Sequence, residues 1–190
     1  SLQHRALAIA ENALGPNHPD VASDLSNLAM LFMYQGKYSN TEPLLRRSLA
    51  IREKAFGPDH PDVALALNNL ALLLDAQGQN SAAEPLLHRA LAISEKIFGV
   101  DHPDVGTSYS NLASLLMSNG KYENAILLLT RSLAIDSTFL LRELPLLPDQ
   151  ARTAQLHQLG SAWQWPFGMI DRYFPAATLA LETRLNRHGL

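Results

Sequence analysis

The sequence predicts an all-α fold of stacked helix pairs, and three observations carry this prediction. A unit of 42 residues recurs along most of the 190-residue chain. Apolar residues within each unit recur at intervals of three and four, which is the spacing of one helix face. Glycine and proline stand at the same places in every unit, where helices end and begin. A helix pair cannot bury its apolar face alone, so such units stack into a solenoid, for which about three repeats are the minimum.

The repeat is defined by internal identity. Residues 18–59 and 60–101 are identical at 26 of 42 positions, and a third copy begins at His102 in the same register. The opening residues 2–15 align with 44–57, the second half of the first complete unit. We therefore predict a truncated repeat (second helix only) at 1–17, full repeats at 18–59, 60–101 and 102–138, and C-terminal capping or linker helices at 139–190. The chain reads as a fragment of something longer.

Each unit is predicted to hold two helices. In the second unit the first helix carries its apolar face at Val63, Leu67 and Leu70, and Gly78 then supplies a left-handed cap that turns the chain. Pro43 and Pro85 are placed in the first turn of a second helix, where backbone N–H groups lack intrahelical partners. Small residues are expected where helices touch, because they allow close approach of the axes. These are Ala29, Ala71 and Ala113 in the first helices and Ala50, Ala92 and Ala134 in the second.

The tetrapeptide His-Pro-Asp-Val occurs three times, beginning at residues 18, 60 and 102. A histidine beside a carboxylate suggests either metal and acid–base chemistry or a helix boundary. Equivalent residues of neighbouring repeats lie roughly 10 Å or more apart, whereas a zinc ion needs its ligands within about 2.1 Å. We therefore predict a boundary, with His60 as the last non-helical residue, Pro61 as the first helical one, and Asp62 in the first turn, facing the helix dipole.

Composition excludes several classes of function. Hydrophobic residues make up 47% of the chain and the net charge is −3, so neither disorder nor a nucleic-acid footprint is indicated. No apolar run approaches a membrane span and no signal peptide opens the chain, so we expect a cytoplasmic protein without membrane contact. There is no cysteine, no Gly-rich phosphate loop and no metal motif. We expect no enzyme activity, no cofactor and no metal site.

The stretch NNLALLLDAQGQNSAAEPLLHRALAISEK resembles a tetratricopeptide repeat. The 42-residue length and the inserted G-P-D-H-P-D-V are similar to the kinesin light chain type of this repeat. The resemblance covers about residues 1–135. It implies a right-handed superhelical solenoid of antiparallel helix pairs, in which the first helix of each pair lines a concave groove that binds a protein or peptide partner.

By that resemblance, the groove is lined by one face of the three first helices. The wider set of lining positions includes Ser23, Ser26, Leu65, Thr107 and Ser110. The predicted peptide-binding residues are Met30, Met33, Tyr34, Asn68, Asn69, Leu72, Asp75, Asn111, Ser114 and Met117. The asparagines at 27, 69 and 111 have two interpretations. They either bond backbone or a neighbouring repeat, or they bond a peptide in the groove.

Two departures from the family pattern limit the choice of partner. The groove has no cluster of Lys and Arg that would grip a chain-terminal carboxylate. It also has Ser26 and Ser110 where the kinesin light chain groove uses asparagines, and only Asn68 is kept. Neither ligand type is supported, so we expect a protein or peptide partner of unknown identity. Self-association through the apolar face of residues 2–14 is a further expectation.

The C-terminal third loses the repeat register after Ile135. Its simplest interpretation is a set of helices that cap the last repeat. Residues 151–189 are also similar to the linking region of bacterial proteins that join this repeat to a caspase-like CHAT protease domain. That resemblance implies an alternative function, a regulatory segment that precedes a protease domain outside this sequence. It assigns no catalytic residue here, because such a domain needs a cysteine.

Overall fold

A computed structural model describes residues 2–143, which form α-helices joined by short turns, with no strand in this range. The helices are α1 (Leu2–Leu14), α2 (Pro19–Tyr34), α3 (Tyr38–Phe56), α4 (Pro61–Ala76), α5 (Asn80–Phe98), α6 (Pro103–Ser118) and α7 (Tyr122–Glu143). The chain divides into compact units at Phe139 and Leu140, and the helices up to that point belong to the first unit. The predicted capping helices fall on 139–190, which lie outside the described residues beyond Glu143.

The helices pack as pairs that stack in chain order. α2 packs on α3 and α4 on α5, and each second helix then packs on the first helix of the next unit, α3 on α4 and α5 on α6. The first helices also contact one another, α2 with α4 and α4 with α6. The apolar residues between the layers, such as Leu70, Leu73 and Leu74, are almost completely buried. The predicted all-α solenoid of helix pairs is confirmed.

The three histidines cap the first helices. Nδ1 of each ring accepts a hydrogen bond of 3.2 Å from the backbone N–H two residues later, that of Asp20, Asp62 or Asp104. His60 has extended backbone and Pro61 begins α4, so the predicted helix boundary is confirmed. The rings of His60 and His102 also stack on Phe56 and Phe98, with centroids 4.5 Å and 4.7 Å apart. These contacts fix the direction in which each first helix leaves the turn.

The glycine at the end of each first helix turns the chain into the second. Gly78 has φ of +73°, a conformation that L side chains rarely adopt, and its N–H donates to the Asp75 carbonyl at 2.8 Å. The second helices begin so soon after this turn that Pro43 and Pro85 lie well inside them. The prediction that these prolines occupy a first turn is therefore wrong. Each leaves a carbonyl four residues earlier without its N–H, and the residues concerned, Ser39 and Ser81, are exposed to water.

Small residues allow close helix approach at different positions from those predicted in the second helices. Ala29, Ala71 and Ala113 are buried in the first helices, as predicted. Ala50, Ala92 and Ala134 are exposed, so that half of the prediction is wrong. The buried small residues of the second helices lie two positions earlier, at Ser48, Ala90 and Ser132. Two residues correspond to about 200° of helix rotation, which moves a side chain from one face to the opposite one.

The two helices of a pair meet at one polar position that differs between repeats. Ser26 shares a hydrogen bond of 2.8 Å with Ser48, and Ser110 shares one of 2.8 Å with Ser132. In the middle repeat, the equivalent residues are Asn68 and Ala90. Alanine offers no hydroxyl, and Asn68 Oδ1 is buried without a hydrogen-bond partner. This repeat therefore holds an unsatisfied acceptor where its neighbours hold a hydroxyl pair.

Neighbouring second helices are joined by a repeated ion pair. Arg47 Nη1 lies 2.6 Å from Glu11 Oε1, and Arg89 Nη1 lies 2.6 Å from Glu53 Oε1. In the third copy Tyr109 intervenes: its hydroxyl donates to Glu95 and accepts from Arg131 Nη1 at 3.0 Å. Burial and the Glu95 carboxylate raise the pKa of Tyr109. These contacts hold the basic side chains of the second helices against partners within the solenoid.

One further position on the second helices faces the next repeat, and the residue type at this position differs from repeat to repeat. Arg52 is buried and donates to the Asp62 carbonyl at 3.1 Å, and burial lowers its pKa. Ser94, at the equivalent position, accepts a hydrogen bond from Ser108 at 3.3 Å. The third residue of the set, Asp136, has no hydrogen bond or ion pair among the described residues, and burial raises its pKa. The free-energy cost of burying the ionised Asp136 carboxylate therefore depends on pH.

The capping role of His60 is tested by His60→Ala. We expect the free energy of unfolding to fall by about 0.5–2 kcal/mol, since the N–H of Asp62 loses its acceptor. Urea denaturation followed by circular dichroism measures the change. His60→Asn is the matched control, because it removes the ring but keeps a good capping acceptor, and we expect a smaller loss. Equal losses for both variants would assign the effect to the Phe56 stack instead.

The unsatisfied acceptor of the middle repeat is tested by the double variant Asn68→Ser with Ala90→Ser. It installs the hydroxyl pair of the neighbouring repeats, and we expect a gain of about 1 kcal/mol or more in unfolding free energy. The reciprocal variant, Ser26→Asn with Ser48→Ala, should lose stability in the first full repeat. Denaturation midpoints of both variants measure the effect. A loss of stability in the Asn68→Ser, Ala90→Ser variant would contradict the interpretation that Asn68 is an unsatisfied acceptor.

Asp136 predicts a pH dependence of stability. Its pKa is raised in the folded state, so the favourable contribution of its neutral form is complete at low pH and disappears as pH rises through the folded pKa. Asp136→Ser, which copies Ser94, should therefore stabilise the protein at pH 7 more than at pH 4. Asp101→Ser, at an exposed position, is the control and should show no such difference. The midpoints of urea denaturation at both pH values measure this difference. An Asp136→Ser variant that is less stable than the parent protein at pH 7 would contradict the assignment.

Candidate functional site

The stacked first helices present one continuous side, largely open to solvent, which we call the first-helix face. Its residues occupy four positions on each of α2, α4 and α6, spaced by four, three and four, so they follow one side of each helix. They are Ser23, Asn27, Met30, Tyr34, Leu65, Asn69, Leu72, Ala76, Thr107, Asn111, Ser114 and Ser118. Because the three first helices contact one another, these positions form neighbouring rows.

Large apolar side chains are exposed within this face. Tyr34 is 84% exposed, Leu65 is 52% exposed and Leu72 is 49% exposed. Met30 and Met33 beside them are half-buried. The positions equivalent to Tyr34 and Leu65 in the other repeats carry small or polar residues, whereas Met30 occupies the position equivalent to Leu72. The exposed apolar surface is therefore available to contact a partner.

A row of amides crosses the three first helices. Asn27 is exposed, whereas Asn69 and Asn111 are half-buried. Their side chains make no hydrogen bond to any residue in the described range. Each amide retains two donor hydrogens and an acceptor oxygen. This arrangement is the one expected of groups that hydrogen-bond water or a ligand.

The remaining predicted residues are divided between this face and the interior. Ser114 is exposed, and Met117 is half-buried against the core. Asp75 accepts a hydrogen bond of 2.9 Å from the Ser118 hydroxyl, which joins the second full repeat to the third. Asn68 has its oxygen buried, as described above. The site residues therefore do not all present their polar atoms to one ligand.

Ser26 and Ser110 do not line a groove. Ser26 is buried and Ser110 is half-buried, and both hydrogen-bond to the second helix of their own repeat. Their placement in the lining is wrong, because this position turns inward toward Ser48 and Ser132. The comparison of Ser26 and Ser110 with groove asparagines consequently concerns helix packing, not ligand contact.

Sequence reasoning missed the distribution of charge. The helices α2, α4 and α6 contain no Lys, Arg or His, but they contain the five aspartates Asp20, Asp24, Asp62, Asp75 and Asp104. The carboxylates at the helix starts are largely exposed, with side-chain exposures of 73%, 48% and 62% for residues 20, 62 and 104. The repeat pattern indicates them only as partners of the helix dipole. The confinement of Lys and Arg to the second helices and the turns is visible once the helices are delimited.

Other kinds of site find no support in the part of the chain that the structure describes. No group of three or more His, Asp or Glu side chains there is arranged to hold a metal ion. None of the helices in this range combines the length and apolar character that crossing a membrane requires.

Two family models, both for the tetratricopeptide repeat, match the chain. One matches residues 23–96 and 76–138, and the other matches residues 1–20. Together the matches cover well over half of the 190 residues. Among curated proteins, none matches this sequence.

Solved structures with similar folds include kinesin light chain-like proteins. A point-variant form of a putative kinesin light chain from Podosopora anserina, with nearly identical TPR-like repeats, has 28% sequence identity and a TM-score of 0.68. That match covers 98% of this chain and 86% of the other. A second structure of the Podosopora anserina protein has 27% identity and a TM-score of 0.64, and the match covers 95% of this chain and 81% of the other.

The crystal structure of BtubC (BKLC) from P. vanneervenii has a similar fold at a lower sequence identity. It has 24% identity and a TM-score of 0.66, and the match covers 72% of this chain and 55% of BtubC. This chain thus spans just over half the length of BtubC, and the likeness supports the fold alone. The registered 42-residue repeats, the stacked helix pairs and the matched family models together show that the chain belongs to the tetratricopeptide repeat family, with repeats of the kinesin light chain type.

Proposed function

We propose that this chain is a non-enzymatic interaction module that binds an extended segment of a partner protein across its first-helix face. The tetratricopeptide repeat is in general a protein–protein interaction module, and this proposal specifies where such an interaction takes place here. The observation that carries it is the row of amides at Asn27, Asn69 and Asn111, which have no hydrogen-bond partner within residues 2–143, beside the exposed side chains of Tyr34 and Leu72.

The spacing of the first helices suits an extended peptide. Packed helix axes lie roughly 8–10 Å apart, and an extended chain advances about 3.3 Å per residue. One step from helix to helix therefore corresponds to about three residues of ligand. Asparagine amides can donate to and accept from a peptide backbone at such intervals, and the apolar side chains supply contacts between them.

The contribution of the exposed apolar residues can be measured with selected peptides. Random 12-residue peptides displayed on phage are enriched on the immobilised protein, and the binders are then synthesised for fluorescence anisotropy. Tyr34→Ser with Leu72→Ser should weaken their binding at least tenfold, because burial of each side chain contributes about 1.5–3 kcal/mol. Both residues are exposed, so the variant should unfold at the parental urea concentration.

A matched control removes two exposed apolar residues from the second helices. Ile97→Ser with Leu127→Ser changes side chains that are 41% and 67% exposed and should leave peptide binding intact. If both variants lose binding equally, or if no peptide is enriched, the assignment of the first-helix face is wrong.

A further inference from the structure

The charges of this solenoid are distributed unevenly between its two sets of helices. All Lys and Arg residues from 19 to 138 lie on the second helices α3, α5 and α7 or in the turns, and none lies on α2, α4 or α6. The first helices carry carboxylates only, at Asp20, Asp24, Asp62, Asp75 and Asp104. The first-helix face therefore combines uncharged polar and exposed apolar side chains, and the charged residues of its own helices are all acidic.

Most of these carboxylates lack a cationic partner. Asp24 has no hydrogen bond or ion pair among the residues described, and Asp75 accepts only from the Ser118 hydroxyl. Asp20 and Asp104 approach only their capping histidines, at 3.6 Å and 3.7 Å. Those rings accept a backbone N–H at Nδ1, so in the capping arrangement they are not protonated at that atom.

Asp62 is the exception, because the positively charged Arg52 lies close enough to interact with its side chain. Arg52 donates to the Asp62 backbone carbonyl, and its charge interacts electrostatically with the Asp62 side chain. The guanidinium is buried between repeats, and its Nη2 also donates to the hydroxyl of Ser23 of the face at 3.5 Å. One of the five carboxylates is thus partly offset, and the first helices as a whole remain negative.

Most of the basic residues of the second helices are engaged elsewhere. Arg47 and Arg89 are paired with Glu11 and Glu53 at 2.6 Å. Lys121, in the turn before α7, lies 2.8 Å from Glu84. These cations are held by carboxylates of neighbouring repeats, so they are not positioned to neutralise a ligand or the first helices.

We propose that the first-helix face selects extended segments in which Lys or Arg recurs at about every third residue, with apolar residues between, and rejects acidic segments. This inference rests on the proposed function and specifies the chemistry of its ligand. Tyr34, Leu65 and Leu72 provide the apolar contacts, whereas the carboxylates at the starts of α2, α4 and α6 form an acidic edge. That edge repeats once per helix, so it matches a cation at about every third residue of an extended chain.

The size of the expected preference for basic peptides can be estimated from the Coulomb energy of a single charge pair. Two unit charges 4 Å apart interact by about 1 kcal/mol in water and by about 4 kcal/mol near a protein surface. An acidic segment would experience repulsion of the same order from the same groups. Exposed pairs are screened by salt, with a Debye length of about 10 Å at 0.1 M, so the preference for basic peptides should weaken at high ionic strength.

The test uses the peptides enriched from the random 12-residue library at pH 8. We expect peptides that bind the first-helix face, as judged by sensitivity to Tyr34→Ser with Leu72→Ser, to be enriched in Lys and Arg and depleted in Asp and Glu relative to the library. The variant Asp20→Asn, Asp62→Asn, Asp104→Asn should bind them at least tenfold more weakly at 50 mM NaCl. Its binding should also change less than that of the parent protein between 50 and 500 mM NaCl.

The control variant is Glu42→Gln, Glu84→Gln, Glu123→Gln, which changes the net charge equally but on the second helices. It should retain binding, and circular dichroism verifies the helicity of both variants. Asp24→Asn with Asp75→Asn provides a second test that leaves the helix starts unchanged, and it should weaken binding in the same direction. Face-dependent peptides that are acidic or uncharged, or equal binding by the aspartate and control variants, would overturn the charge inference alone. Failure to enrich any face-dependent peptide would overturn the proposed function together with it.

Discussion

The structure depends on one constraint, which is that no helix pair of this chain can bury its apolar face by itself. Leu70, Leu73 and Leu74 of α4 are almost completely buried because α3 and α5 pack on either side of that helix. Each unit therefore completes the core of its neighbour, and stability is the sum of such contacts along the chain. The same stacking places the first helices side by side and leaves one side of them uncovered. The surface available for binding is a consequence of how the core is formed.

Repetition makes the departures informative. The capping histidines are the same in all three copies, and each makes the same hydrogen bond at the start of its first helix. Where the copies differ, the contact differs as well. Arg52, Ser94 and Asp136 hold one position but make a buried guanidinium contact, a hydroxyl contact and no polar contact within the described range, respectively. Each repeat interface consequently has its own stability and its own response to pH.

Polar groups in this solenoid fall into two classes with different consequences. The serine pairs and the arginine–glutamate pairs are satisfied internally and fix the register of helices and repeats. The amides of Asn27, Asn69 and Asn111 and the carboxylate of Asp24 have no such partner in the part of the chain described. An internal hydrogen bond would hold these side chains in one position, whereas without one their polar atoms can hydrogen-bond to water or to a ligand. The proposed function and the proposed ligand chemistry both rest on this second class.

Much of the fold was accessible from the sequence alone, because helical periodicity, the Pro that begins each first helix and the Gly that follows it are local signals. The 42-residue identity then required each unit to have the same pair of helices, and His60 could be assigned as a boundary before any coordinates. The candidate site was predicted less completely. Met30, Tyr34, Leu72 and Ser114, named from the family resemblance, lie on the first-helix face, whereas Ser26 is buried and Ser110 is half-buried against its second helix.

Only the tertiary structure decided how each helix is rotated against its neighbours. A rotation of one or two residues separates Ala50, which is exposed, from Ser48, which is completely buried, and the sequence pattern allows either to face inward. The same rotation decides that Ser26 meets Ser48 and that Asn68 Oδ1 is buried without a partner. Local signals determine where helices begin and end, whereas the packing of side chains from different repeats determines which face each helix buries. The sequence by itself thus determined the repeat and its boundaries, and the packed structure determined which polar groups within residues 2–143 have an internal partner and which do not.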